Sequence, residues 1–205
     1  MDKLDLKKDL PWYKARHGVF EEVTVPAVNY LMIDGKGDPN TGAEFAAATE
    51  ALYPVAYKIK FASKKQLGKD YGVMPLEGLW WAHDLSVYTA STDRSDWLWT
   101  LMIMQPEWVT QSMVEEAISL AGAKSAPAAL PLVRFESLTE GRSVQTLHLG
   151  PYTAEGPVIE AMHSDFMVKH GLKPTGKHHE IYFSDARKVE PAKLRTILRQ
   201  PVEPA

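Results

Sequence analysis

Hydrophobic positions in this chain change period several times, and each change predicts an element. Residues 23–33, from Val23 to Ile33, are rich in β-branched and aromatic side chains. They run into Asp34-Gly35-Lys36-Gly37-Asp38-Pro39-Asn40, so a strand closed by a turn is predicted. From Thr41 the hydrophobic positions are Phe45, Ala48, Leu52, Val55, Ala56 and Ile59, spaced for one face of a helix. Thr41 followed by Glu44 matches a capping box. Pro54 predicts a kink near Ala51 if the helix reaches Phe61. Strand-like runs follow at Val73–His83 and Trp97–Gln105, joined by the polar Thr92-Asp93-Arg94-Ser95-Asp96. Thr110 opens a second helix to near Ala121, with Met113, Ala117, Ile118 and Leu120 as its apolar stripe.

An alanine- and proline-rich stretch, Ala123 to Pro131, then divides the chain. Beyond it a strand at Arg142–Leu149 ends in Gly150-Pro151-Tyr152. A helix over Ala154–His170 stops at Gly171, a good helix terminator. The strand His178–Phe183 follows, and Leu194–Arg199 closes a hairpin with it. The first seventeen residues, including Leu10-Pro11-Trp12-Tyr13, read as a polar lead-in across the surface. Strand–glycine–helix–strand–strand therefore occurs twice, which predicts duplication. The expected class is α+β: duplicated strand–helix–strand–strand modules form a curved antiparallel sheet, with helices on one side and an aromatic-lined groove on the other. A single domain spans residues 1–205, with modules over about 18–122 and 132–202 and a linker at 123–131.

The run Lys177-His178-His179-Glu180-Ile181-Tyr182-Phe183-Ser184-Asp185 carries the clearest chemical signal. Strand side chains alternate faces, so His178, Glu180 and Tyr182 share one face and His179, Ile181 and Phe183 the other. The second set is expected to pack on a helix. An acid at the centre of a strand costs several kcal/mol if buried unpaired. It belongs in a pocket, in an ion pair, or on a strand whose polar face is simply wet.

Composition narrows the function. With 45% hydrophobic and 24% charged residues the chain is an ordinary globular sequence. A net charge of −3 gives no basic field for nucleic acid. There is no cysteine, hence no disulfide framework, zinc ribbon or thiol nucleophile. The polar start Met1-Asp2-Lys3-Leu4-Asp5 is no secretory signal, and no apolar run is long enough to cross a bilayer, so a cytoplasmic location is expected. Four of six tryptophans (Trp80, Trp81, Trp97 and Trp99) fall within twenty positions. Alternation puts Trp97 and Trp99 on one face and separates Trp80 from Trp81. Large rings fill cores, and they also build flat walls for planar ligands; at least one of the four is expected in such a wall.

Other chemistries lack their motifs. Adjacent His178 and His179 point to opposite faces and cannot chelate one metal, and His83, His148, His163 and His170 have no evident pairing. Asp34-Gly35-Lys36-Gly37 is no phosphate loop, and no Gly-x-Ser-x-Gly elbow occurs. No cofactor is expected.

Leu31–Asn40, Pro75–Trp81, Trp97–Gln105, His148–Pro157, and Lys177–Asp185 with Ile197–Val202 together resemble the GyrI-like (gyrase-inhibitor-like) small-molecule-binding family, in its stand-alone branch without a DNA-binding helix-turn-helix. The resemblance covers nearly the whole chain. It implies paired strand–helix–strand–strand modules around an aromatic-lined pocket and planar aromatic ligands. It further implies hydrolysis of cyclopropane-bearing, DNA-alkylating antibiotics, or sequestration of planar, often cationic drugs without catalysis. Glu180 aligns with the glutamate that faces drugs in the regulator members. On this reading Glu180 is the general base, and Tyr152 is the leading candidate for hydrogen bonding to the water or the substrate carbonyl. Tyr182 and His178 share the Glu180 face, protonated His178 steadying the carboxylate, while Trp80, Trp81, Trp97 and Trp99 hold the ligand.

Overall fold

The computed structural model describes residues 3–39, 42–81 and 97–205. Thr41, and with it the predicted capping box, lies outside the described residues, as do residues 82–96, which include His83 and the polar Thr92–Asp96. The chain has mixed α+β structure and divides into two compact units. One comprises residues 1–6, 28–74 and 78–138, and the other 7–27, 75–77 and 139–205.

In the first unit, strand β1 (Glu21–Lys36) from Val28 onward pairs antiparallel with β3 (Leu98–Gln105). Asn29 lies opposite Gln105, and Gly35 opposite Trp99. Both strands bury consecutive residues, Tyr30–Ile33 and Trp99–Gln105, so neither shows simple alternation. Strand β2 (Leu76–Trp81) contributes Gly78 onward. Helix α2 (Ala43–Ala62) runs through Pro54 and buries Ala48, Ala51, Leu52, Val55, Ala56 and Ile59. It continues as a π-helical turn, Ser63–Leu67, that ends at left-handed Gly68. Helix α3 (Gln111–Ser125) starts where expected, because the Thr110 hydroxyl accepts from the Met113 amide at 3.4 Å. Its buried stripe is Met113, Val114, Ala117 and Ala121, and Leu120 faces outward at 50% exposure. The helix also takes in the first three residues of the alanine- and proline-rich stretch.

In the second unit, β7 (Arg195–Pro204) is the shared partner of three strands. It pairs antiparallel with β4 (Arg134–Leu149), with β6 (His178–Tyr182) and with β5 (Leu172–Pro174). The predicted hairpin of residues 178–183 with 194–199 is therefore present. The helix expected over Ala154–His170 is shorter and distorted: α4 (Gly156–Glu160) passes into a π-helical turn, Ala161–Met167. Its buried Met162 and Met167 pack with Val144, Leu172, Leu198 and Val202.

The lead-in does not lie loosely on the surface. After the single turn α1 (Leu6–Asp9), Tyr13 is buried, and backbone carbonyls of this segment receive donors from β4 and β7. Gln145 Nε2 donates to Lys14 O at 2.8 Å, the Leu147 amide to Arg16 O at 3.2 Å, and an Arg199 Nη to Trp12 O. Groups far along the sequence, two side chains and one backbone amide, supply those donors, so local polarity did not reveal the contact. Among the described residues no helix is long and apolar enough to cross a membrane.

Candidate active site

Strand β6 divides its side chains as alternation predicts. His179 and Ile181 are fully buried, while His178, Glu180 and Tyr182 are partly covered. The face that meets the helix is the reverse of the one expected. Glu180 lies directly opposite Leu198 on β7, and Tyr182 opposite Thr196. Directly opposed residues of an antiparallel pair point the same way, and Leu198 packs with Met162 and Met167 of the π-helical turn. Glu180 therefore shares the helix-covered face. The other face carries Ile181 opposite Ile197, both fully buried, beside the charged groups around His179.

Around Glu180 the groups are close and mostly uncharged. The Tyr182 hydroxyl donates to Glu180 Oε2 at 2.7 Å. The Tyr152 ring meets the Tyr182 ring edge-on, with centroids 5.6 Å apart and planes at 73°. Tyr152 begins a 3₁₀ turn (Tyr152–Ala154) after Gly150, whose φ of +135° suits glycine, and Pro151. Burial, with the Glu155, Glu180 and Asp185 carboxylates nearby, pushes the Tyr152 phenol up to about 12. It stays protonated at neutral pH and serves as a donor.

His178 Nε2 stands 3.7 Å from Glu180 Oε1, a spacing that would form an ion pair if the ring were protonated. Burial dominates instead and, with His163 and His179 beside it, pushes His178 down to about 3. The contact joins a neutral imidazole to a carboxylate, which corrects the expectation that protonated His178 steadies Glu180. His163, on the π-helical turn, is likewise lowered by burial. Among the described residues the arrangement offers the Glu180 carboxylate, two phenols and a neutral imidazole, with the Glu155 and Asp185 carboxylates also near Tyr152. Such a set suits proton abstraction or hydrogen bonding better than anion capture.

The opposite face of β6 carries groups the sequence argument missed. His179 Nε2 is 3.0 Å from Glu77 Oε2, and its Nδ1 is 2.9 Å from Glu140 Oε1. Glu140 Oε2 accepts from Arg199 Nη1 at 2.7 Å, and Arg199 Nε donates to Gln145 Oε1 at 3.0 Å. The Tyr13 hydroxyl donates to Glu77 Oε1 at 2.5 Å. Burial alone would neutralise His179, but the Glu140 carboxylate and hydrogen bonds to both acids raise its pKa. Glu140 has its own burial penalty overcome by His179 and Arg199, and falls to about 2. Glu77 was legible in principle: it is an acid near the middle of the expected strand Val73–His83, the same signal that singled out Glu180.

The four clustered tryptophans belong to the first unit. Trp80 and Trp99 are buried, whereas Trp81 and Trp97 are partly exposed. Phe45 stacks on Trp80 at 6.3 Å and meets Trp99 edge-on at 5.6 Å. Trp97 meets Trp80 edge-on at 5.7 Å. The Trp99 ring also lies over Gly35, where an added Cβ would be 2.1 Å from Cη2. Among the described residues no group of three or more His, Cys, Asp or Glu side chains is placed to hold a metal ion.

Residues 19–203 match the family described as the GyrI-like small molecule binding domain. No protein of curated function matches the chain significantly. Among solved structures, an uncharacterized conserved protein from Listeria innocua is 40% identical with a TM-score of 0.89, over 98% of this chain and 100% of its own. Two structures of a hydrolase from Listeria innocua are each 38% identical over the same shares, with TM-scores of 0.85 and 0.86.

Proposed function

Because the chain belongs to the GyrI-like small-molecule-binding family, we propose that it binds planar aromatic molecules and hydrolyses the cyclopropane ring of flat, DNA-alkylating antibiotics. The carrying observation is Glu180 held by the Tyr182 hydroxyl at 2.7 Å beside the Tyr152 ring. The similar hydrolases from Listeria innocua support a hydrolytic reading. In the proposed step Glu180 takes a proton from water as the water oxygen bonds to a cyclopropane carbon. The strained carbon–carbon bond breaks, and its electron pair passes into the conjugated dienone. The dienone oxygen becomes a phenolate and receives the proton, which completes the addition of water. Tyr152, kept protonated by burial, donates to that oxygen as charge develops. The order β1–α2–β2–β3 recurs as β4–α4–β6–β7, with the short β5 added before β6, and this supports duplicated modules.

The test is to incubate the purified protein with a duocarmycin-type cyclopropane and detect the water adduct by mass spectrometry. Glu180→Gln is expected to lower turnover at least about 100-fold, within the usual worth of a general base, with modest change in affinity. A Gln variant at full rate removes Glu180 from the reaction. Binding without turnover in the native protein leaves sequestration as the function. The tryptophans are proposed as ligand contacts and are sorted one by one. Trp99→Ala is expected to cost about 3–5 kcal/mol of stability, as a core residue does. Partly exposed Trp81 is expected to cost about 1–3 kcal/mol in binding when replaced by alanine, if stacking on a ligand resembles stacking on a base.

A further inference from the structure

Between Glu50 and Asp70 the chain carries five lysines, Lys58, Lys60, Lys64, Lys65 and Lys69, with no acid and no arginine among them. This stretch is the C-terminal part of α2 and the π-helical turn that continues it. In a chain of net charge −3 it forms a local basic surface. Asp70 closes the stretch and is engaged by Lys60 and Lys64, each at 2.8 Å. Lys58 and Lys65 make no ion pair among the described residues. The same segment exposes large apolar side chains: Tyr57 at 48%, Phe61 at 59% and Leu67 at 46%. Ala51, Leu52, Val55, Ala56 and Ile59 fill the core-facing side of the helix without them. Tyr57 and Phe61 stand one turn apart with their rings stacked, centroids 6.5 Å apart and planes at 29°. Lys60 Nζ lies 4.8 Å from the centre of the Phe61 ring, and Lys69 Nζ 4.6 Å from that of Trp108. Exposed apolar surface rimmed by charge marks an interaction site.

We propose that this outer face of α2 docks on an anionic lipid surface. Aromatic and aliphatic tips enter the headgroup boundary, while lysine stems lie along it and keep their ammonium groups among the phosphates. The cation–π contacts already hold two ammonium groups at the level of the rings, as such a boundary requires. Arginine is the residue that grips a single phosphate or carboxylate with paired hydrogen bonds, whereas lysine is a compact point charge. Five lysines without an arginine therefore suit a diffuse field of negative headgroups better than one defined anion. The outer side of a helix is convex, so it offers no groove in which an acidic peptide or a nucleic-acid strand could lie. Contact of this kind rests on a bilayer and differs from a crossing segment, which no helix among the described residues could supply. Every residue of the face belongs to the first unit, whereas Glu180 belongs to the second, so the inference stands apart from the proposed reaction.

The test is sedimentation of the full chain with vesicles of phosphatidylcholine alone and with vesicles of equal parts phosphatidylcholine and phosphatidylglycerol. Binding to the mixed vesicles is expected to be at least about 10-fold tighter and to weaken as salt rises. The double variant Lys58→Ala, Lys65→Ala is expected to weaken it at least about 10-fold, since each lysine near an anionic surface contributes roughly fivefold. Tyr57→Ser with Phe61→Ser is expected to weaken it by about the same factor through lost apolar contact. Lys14→Ala with Lys173→Ala removes the same charge from exposed positions of the second unit and is expected to change binding by less than about 3-fold. Because the chain has no cysteine, a polarity-sensitive fluorophore on Gln66→Cys reports the contact with all three apolar tips and all five lysines in place. Its emission is expected to move to the blue on mixed vesicles only. No binding to mixed vesicles at low salt, equal binding to both vesicle types, an unmoved label, or patch variants no weaker than the control pair overturns the inference. Binding of single-stranded DNA or polyglutamate through Lys58 and Lys65, without vesicle binding, overturns it too and assigns the face to a soluble polyanion.

Discussion

Two adjacent histidines on one strand have opposite fates. His179 is surrounded by two carboxylates and an arginine, and it is raised toward the charged form. His178 points the other way, has no hydrogen-bond partner among the described residues, and is lowered to about 3. The His178 side chain is only 12% exposed and His179 is fully buried, so burial alone does not account for their opposite shifts. The difference is whether distant strands bring carboxylates within hydrogen-bonding distance. One face of β6 is therefore built for stability, with every charge answered. The other has unsatisfied atoms beside Glu180, a cost that folding alone does not explain.

The largest expected effect comes from breaking the satisfied face. Glu140→Gln leaves His179 and Arg199 as buried cations with one fewer acid. It is expected to cost about 3–5 kcal/mol in denaturant unfolding, as loss of one partner from a buried pair does. A cost within 0.5 kcal/mol, the ordinary range of a surface substitution, would mean the cluster contributes no net stability. His179→Leu, which leaves two acids facing one arginine, is expected to be similarly damaging. His178→Leu should do the reverse. Replacing an unsatisfied buried polar group by an apolar one of similar size is expected to be neutral or to gain up to about 1 kcal/mol. If the two leucine variants unfold alike, the contrast between the faces is lost.

Protons sharpen the same comparison. Glu140 is depressed from the ordinary carboxylate value of 4.5 to about 2. Its stabilisation is complete above 4.5 and is lost as pH falls toward about 2. His179 is raised from 6.5, so its stabilisation is complete below that value and is lost as pH rises through its higher folded value. Stability measured against pH is therefore expected to fall on both sides, and Glu140→Gln is expected to flatten the acid side. The smallest effect is spectroscopic. His178 ring protons are expected to show no titration between about pH 4 and 8. A midpoint near neutrality for His178 would overturn its neutral assignment.

The two faces of β6 were legible because alternation is a local property that needs no knowledge of the partner strand. The α+β class and the start of α3 at Thr110 were legible for the same reason. Which face meets a helix was not, since it depends on Leu198 and Met162 meeting through register. The acids of His179 lie 102 and 39 residues away in sequence, so no periodicity points to them. Element ends also moved: β4 begins at Arg134, ahead of the polar Glu136 to Glu140, because pairing rather than hydrophobicity extends it. Tyr13 was read as part of a polar lead-in, although its hydroxyl answers a buried glutamate.

That last contact bears on how the protein should be cut. The family match starts at residue 19, and an expression boundary drawn there would remove Trp12, Tyr13 and Lys14. The trimmed chain would keep Glu77, Arg199 and Gln145 but lose the hydroxyl and the two carbonyls that now meet them. Three polar side chains would be left facing a trench where a peptide used to run. A fragment that looks complete by homology would thus be missing a structural piece, and adding residues 7–18 back as a free peptide should restore it.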